Sequence, residues 1–109
     1  LLATTAPRAP LPGGVLTMTP EEVEDVRRYG EFLRGYAALR AGEVGIVDVD
    51  RILCPDATCP EALDGIVVRP DLGAHFDTAG AAWLAPRFLD AVQRAWEQIG
   101  AVAAAPLGF

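Results

Sequence analysis

Two strand-like runs separated by a helix-length segment constrain this chain more than any other feature. The first, Leu1-Leu2-Ala3-Thr4-Thr5-Ala6-Pro7, is apolar and then Thr-rich. It runs into a loop that holds Pro7, Pro10, Pro12 and the Gly13-Gly14 pair. The second spans Val44 to Leu53 and carries Val44, Ile46, Val47, Val49, Ile52 and Leu53, the composition of a buried strand. Between them the pattern turns helical from Pro20. Thr19 can cap, Pro20 suits the first turn, and Glu21 and Glu22 favour the positive end of the helix dipole. Val26, Tyr29, Leu33 and Tyr36 recur at spacings of three and four, with Ala37 beside them, and Gly42 ends the segment. A crossover this long is what parallel pairing requires, so the expected unit is strand, helix, parallel strand, with Val26, Leu33 and Tyr36 buried against the sheet.

The second half adds a short extended run, Ile66-Val67-Val68, set off by Asp64-Gly65 before it and Pro70 after it, which can pair locally in a small hairpin. After His75 the pattern is helical again, with Asp77 or Thr78 as the cap. Trp83, Leu84, Phe88, Leu89, Val92 and Trp96 form a broad apolar face. That spacing assigns Trp83 and Trp96 to core packing in preference to a carbohydrate platform. Pro86 lies inside this segment and predicts a kink near Ala82 to Pro86, because it removes a backbone donor.

About half of the 109 residues are hydrophobic, enough for a core in one small domain. The net charge is -6, and all nine basic residues are scattered arginines, which excludes nucleic acid as the expected partner. No uncharged stretch approaches the ~20 apolar residues of a helical membrane span. Neither an initiating Met nor a charged leader precedes Leu1, so further sequence is expected upstream. Ser, Asn and Lys are absent altogether, and that absence narrows the chemistry more than the charge does.

The one histidine, His75, follows Arg69-Pro70-Asp71-Leu72-Gly73-Ala74 in a loop between an extended run and a helix. Loops at the C-terminal edge of an α/β sheet are where catalytic groups gather. A carboxylate beside an imidazole fixes its tautomer and stabilises its protonated form, which is what a serine nucleophile needs from its base. On spacing alone, a loop histidine with a chance acidic neighbour is the plainer reading. Asp48 and Asp50 read as strand-end caps or solvated groups, since two carboxylates are too few ligands for a cation site. Asp77 reads as a helix cap and as a second candidate partner for His75.

Several segments taken in order change that weighting. They are Val47-Asp48-Val49-Asp50, Leu53-Cys54-Pro55-Asp56-Ala57-Thr58-Cys59-Pro60, Asp64-Gly65-Ile66-Val67-Val68-Arg69-Pro70-Asp71, Gly73-Ala74-His75-Phe76 and Ala79-Gly80-Ala81-Ala82-Trp83-Leu84-Ala85-Pro86. Together they resemble the last third of SGNH hydrolases, the GDSL-like esterases, and most of all the SGNH domains attached to bacterial membrane O-acyltransferases. The opening run resembles the preceding sheet strand, so the likeness covers nearly the whole chain. It implies an α/β fold: residues 1–109 would be the C-terminal portion of one three-layer α/β/α flavodoxin-like domain with a parallel sheet, its N-terminal serine block lying outside this chain. It also implies a serine esterase or O-acyltransferase acting on acyl, above all acetyl, esters of cell-surface glycans or on small esters. His75 matches the family's catalytic histidine and Asp71 its aspartate. The usual spacing is Asp-x-x-His, and Asp71 to His75 holds one residue more, which a bulge at Gly73 can absorb. No metal or organic cofactor is implied, and a membrane acyltransferase domain in the same parent chain is the expected neighbour.

Cys54 and Cys59 flank a short Pro-containing loop. A disulfide, a zinc site shared with His75 and a carboxylate, and free thiols are the three readings. Cys-x4-Cys is poor spacing for a zinc knuckle, and the disulfide is preferred, which implies an extracytoplasmic setting, periplasmic or at the cell surface. Thr4 and Thr5 lie near where a substrate pocket would form, but no neighbouring base makes either a nucleophile. The rival to the enzyme is a noncatalytic structural or interaction module that keeps this fold without the serine block.

Overall fold

A computed structural model describes residues 1–105. Five elements follow one another: β1 (Leu2–Ala3), α1 (Pro20–Leu39), β2 (Ile46–Val47), α2 (Val49–Leu53) and α3 (Thr78–Ala104). The protein is therefore mixed α/β. β1 and β2 pair in parallel, Leu2 opposite Ile46 and Ala3 opposite Val47, with α1 as the crossover. The ladder is extended by Leu2 N–H on the Gly45 carbonyl at 2.8 Å and Thr4 N–H on the Val47 carbonyl at 3.0 Å. Among the described residues the sheet consists of these two strands.

α1 begins as its sequence dictates. The Thr19 hydroxyl accepts the Glu22 N–H at 3.1 Å and the Glu22 carboxylate accepts the Thr19 N–H at 3.1 Å, a reciprocal capping box ahead of Pro20. The same Thr19 N–H, followed by the Thr19 hydroxyl, holds the Glu22 carboxyl below the ordinary glutamate value. The helix ends at Leu39 with Arg40 as its cap, and Gly42 follows in a left-handed turn.

The buried side of α1 departs from the expected one. Gly30 and Ala37 are buried and Val26, Leu33 and Arg34 are partly buried, whereas Tyr29 and Tyr36 are exposed. The inward row is thus centred on two small residues, with the tyrosines about 90° around the helix at ~3.6 residues per turn. Small side chains let the helix lie close to the sheet, and Arg34 fills the remaining inward position because carboxylates meet it there.

The second strand is also shorter than its composition suggests. Strand structure stops at Val47, and Val49–Leu53 is the short helix α2. The Asp48 carbonyl accepts Arg51 N–H at 3.1 Å and Ile52 N–H at 3.3 Å, and the Thr4 hydroxyl accepts Asp50 N–H at 3.1 Å, so the chain turns at its acidic pair. Val49, Ile52 and Leu53, three and four apart, then converge on the core instead of alternating across a sheet. That core is formed by Leu53, Cys54, Val68 and Trp83.

The Asp64-Gly65 pair makes the expected local hairpin. Leu63 and Ile66 exchange both backbone hydrogen bonds at 2.9 Å around two left-handed residues, Asp64 and Gly65. Asp77 caps α3, its carboxylate accepting Gly80 N–H at 2.8 Å, and Thr78 is the first helical residue. α3 runs unbroken through Pro86. Near the proline the Trp83 carbonyl also accepts Arg87 Nη1 at 2.7 Å, one residue along from the Ala82 carbonyl that Pro86 leaves without its helical donor. Trp83 is buried as expected, with its Nε1–H on Asp64 at 2.9 Å. Trp96 is not a core residue: it is 57% exposed, and Leu89 is exposed beside it. The row that reaches the core or β2 runs through Trp83, Ala95 and Ile99, and Trp96 projects about 100° away from Ala95 on the same helix. Among the described residues no helix is long and apolar enough to cross a membrane.

Candidate functional site

Two groups of polar side chains stand out, and the first lies just beyond the C-terminal ends of the parallel strands, where α/β proteins place their ligands. The first is built on Thr4, the residue that follows β1. Only 3% of Thr4 is exposed; its hydroxyl donates to Asp50 Oδ1 at 2.7 Å while accepting the Asp50 N–H. Asp50 is in turn held by Arg34 from α1, whose Nη1 reaches Asp50 Oδ2 at 3.0 Å and Asp48 Oδ1 at 2.9 Å. Arg34 Nη2 binds Glu31 at 2.8 Å, and Arg51 approaches Asp48 at 3.4 Å. Burial pushes the Arg34 guanidinium down, but its hydrogen bonds with Asp48, Glu31 and Asp50 outweigh that and keep it above the usual arginine value. Asp48 and Asp50 are therefore ion-paired groups that tie α1 to the strand ends.

A cavity of about 360 Å³ opens beside this cluster, lined by Thr5, Glu31, Arg34, Asp50 and Cys54 among others. A wider groove of about 760 Å³ runs between α2 and α3, lined in part by Asp48, Arg51, Trp83, Arg87 and Arg94. In it Arg87 stacks 4.0 Å over the Trp83 ring and bonds Asp64 at 3.1 Å. Replacing Thr4 with valine should cost about 1–3 kcal/mol, because it removes one partner of the half-buried Asp50 carboxylate and the acceptor of the Asp50 N–H. Urea denaturation of Thr4→Val beside Thr5→Val, a change at an exposed position, checks this; equal midpoints for the two variants would show the Thr4 contacts to be energetically idle.

The second group holds the histidine. Asp71 and His75 face each other across a tight turn: Asp71 C=O accepts Ala74 N–H at 2.9 Å and His75 N–H at 3.1 Å, and the two residues form an antiparallel bridge. Leu72 and Gly73 are both left-handed, which closes the turn tightly. The turn is fastened to the chain leaving β1, since Ala9 N–H donates to the Gly73 carbonyl at 2.9 Å. At Gly73 a Cβ would overlap the Ala9 carbonyl, so only glycine permits this seat. His75 and Asp71 are exposed. Among the described residues no hydrogen bond joins the imidazole to a carboxylate: Asp71 is paired through its backbone, and the Asp77 carboxylate is engaged in the α3 cap. Neither Asp71 nor His75 lines the two cavities above.

Cys54 and Cys59 are joined by a disulfide that closes the loop after α2, with Cys54 in the core. On the chain-entropy account a ring this small contributes about 2 kcal/mol. Peptide mapping without reduction should show the linked pair, and a reductant should lower the urea midpoint accordingly; two free thiols in protein from its native compartment would contradict the linkage. Sequence reading did not identify the Thr4–Asp50–Arg34 linkage. One signal was present: Arg34 falls in the inward row with Gly30 and Ala37, where an arginine requires acidic partners. Compared with known proteins, the chain matches no family model, no curated protein and no solved structure.

Proposed function

We propose that this chain is the C-terminal portion of an SGNH-type, three-layer α/β/α domain that works in a longer parent as a serine esterase or O-acyltransferase. Its substrates would be acyl, above all acetyl, esters of cell-surface glycans or small esters, handled outside the cytoplasm. The observation that carries this reading is the Asp71–His75 turn, fastened at Gly73 to the segment that leaves β1 and presenting an exposed imidazole at the start of α3. The disulfide is consistent with the extracytoplasmic setting. Paired residues of an antiparallel bridge project to the same side, which is the arrangement this role asks of Asp71 and His75.

In the reaction a serine from upstream attacks the ester carbonyl, and His75 takes its proton. A tetrahedral intermediate forms and collapses to an acyl-serine, with His75 returning the proton to the departing alkoxide. Water, or an acceptor hydroxyl deprotonated by His75, then attacks the acyl-serine and releases the serine. Asp71 orients the imidazole and stabilises its protonated form throughout.

This chain contains no Ser and no Asn, so it supplies the base side of the site and not the nucleophile. The parent reading frame tests the proposal directly. A Gly-Asp-Ser stretch about one or two hundred residues upstream, the span of one α/β domain, is the expected finding. A parent without such a serine block would overturn the catalytic reading and leave a noncatalytic interaction module.

A further inference from the structure

We infer that the cavity beside the Thr4–Asp50–Arg34 cluster binds a neutral sugar ring, its C–H face on an apolar wall and its hydroxyls on a polar rim. The cavity measures about 360 Å³. That lies within the ~300–1,000 Å³ of small-molecule sites, and the cavity opens beyond the strand ends, where α/β proteins place ligands. Val23 and Val26 of α1 and Pro55 of the disulfide loop supply apolar surface. Thr5, Arg27, Glu31 and Arg51 supply exposed polar groups.

The polar groups select the ligand. Every guanidinium here already has a carboxylate: Arg27 reaches Glu24 through Nε at 2.9 Å and Nη2 at 2.6 Å, Arg34 holds Glu31, Asp48 and Asp50, and Arg51 approaches Asp48 at 3.4 Å. With each cation neutralised, no unbalanced charge draws an ion into the cavity. Hydrogen-bonding capacity remains. Among the described residues Arg27 Nη1 and Arg51 Nη2 are spare donors, Glu31 Oε2 is a spare acceptor, and the Thr5 hydroxyl can serve as either. An anion would meet Glu31 and Asp50, and a cation would meet three arginines. A pyranose carries no charge, answers spaced donors and acceptors with its hydroxyls, and offers an apolar face to the valines. The segment that holds Thr5 runs on to Ala9, which fastens the Gly73 turn, so the cavity and the His75 turn share one support. The inference names a sugar subsite for the glycan esters proposed above and rests on that reading for the source of the ring. The two fail separately: loss of sugar binding removes this subsite alone, and a parent without a serine block removes the catalysis alone.

The test is a nuclear magnetic resonance titration of the isotope-labelled full chain with methyl glucoside, methyl mannoside and N-acetylglucosamine, with cyclohexanol and acetate as apolar and anionic controls. Saturable shifts are expected at Val23, Val26 and Thr5 with at least one sugar at millimolar concentration. Thr5→Val, at an exposed position, should weaken binding about 3–10-fold through the loss of one hydrogen bond. Val23→Glu, which puts a charge on the apolar wall at a position 37% exposed, should weaken it by more than about tenfold. Arg94→Gln, in the separate groove between α2 and α3, should leave it unchanged. No saturable shift with any of the three sugars would overturn the inference. Equal affinity for cyclohexanol or acetate would overturn it as well, by reducing the cavity to an apolar or an anionic site. Should the variants fail to fold, nuclear Overhauser contacts from sugar ring protons to the Val23 and Val26 methyls of the unaltered chain decide: their presence supports the site and their absence rejects it.

Discussion

On the proposed triad, His75→Ala in the parent protein should lower kcat/KM for ester cleavage by about 10³-fold or more while its unfolding midpoint stays where it was. Such a loss equals ~4 kcal/mol of transition-state stabilisation, the scale on which a general base acts. The fold should not respond, because the imidazole is exposed and no side-chain hydrogen bond ties it to the described residues. Substitutions at positions of that kind generally change stability by less than about 0.5 kcal/mol. Asp71→Asn should also reduce turnover sharply, since an amide can no longer stabilise the protonated ring. Its stability should again be unchanged, because the turn is held by the Asp71 backbone carbonyl and not by the carboxylate. Near-normal hydrolysis of an acetyl ester by the purified His75→Ala parent would end the triad assignment.

The largest stability effect is expected from a single methyl group. Gly80 lies in the first turn of α3, directly over the Val68 carbonyl, and a Cβ there would lie far inside van der Waals contact with that oxygen. Val68 is a core residue, and its neighbour Trp83 stands one turn along the same helix, so neither partner can move without opening the core. Gly80→Ala should therefore destabilise by about 2–3 kcal/mol, the scale of an overpacked core, even though alanine is the better helix former. For a chain of this length that is a fall in Tm of about 10 °C or more. Gly35→Ala is the matched control. It is also helical, nothing lies within 4 Å of its added Cβ, and it should stabilise by about 0.5–1 kcal/mol. Calorimetry of the two variants should show opposite signs, and equal shifts would mean that the close crossing of α3 over Val68 is not maintained in solution.

Features governed by neighbours a few residues away could be read directly from the chain. Thr19, Pro20 and Glu22 specify where α1 begins, because the donors and acceptors that satisfy its first turn all lie within that turn. Asp64-Gly65 specifies a hairpin through the left-handed backbone those residue types tolerate, and Asp77 specifies the start of α3 through one hydrogen bond. The parallel sense of β1 and β2 followed from the length of the crossover between them. The cysteine pair was legible because Cys54 and Cys59 flank a short loop marked by proline.

Tertiary structure decided what is inside. Val44 to Leu53 has the composition of one strand, yet Thr4, remote in sequence, captures Asp50 and helps turn the chain into α2 after Val47. Hydrophobic spacing placed Tyr36 and Trp96 in the core, but a helix buries the face that its neighbours leave room for. For α1 that is the face of Gly30 and Ala37, and for α3 the face of Trp83 and Ala95. Arg34 is drawn inward by carboxylates from another element, and Arg69 is buried by the loops that fold around it; neither could be read from its own neighbours. Capping, turn formation and loop closure act over a few bonds, so the sequence by itself determined them. Burial and ion pairing depend on which surfaces meet, and only the folded chain brings those surfaces together.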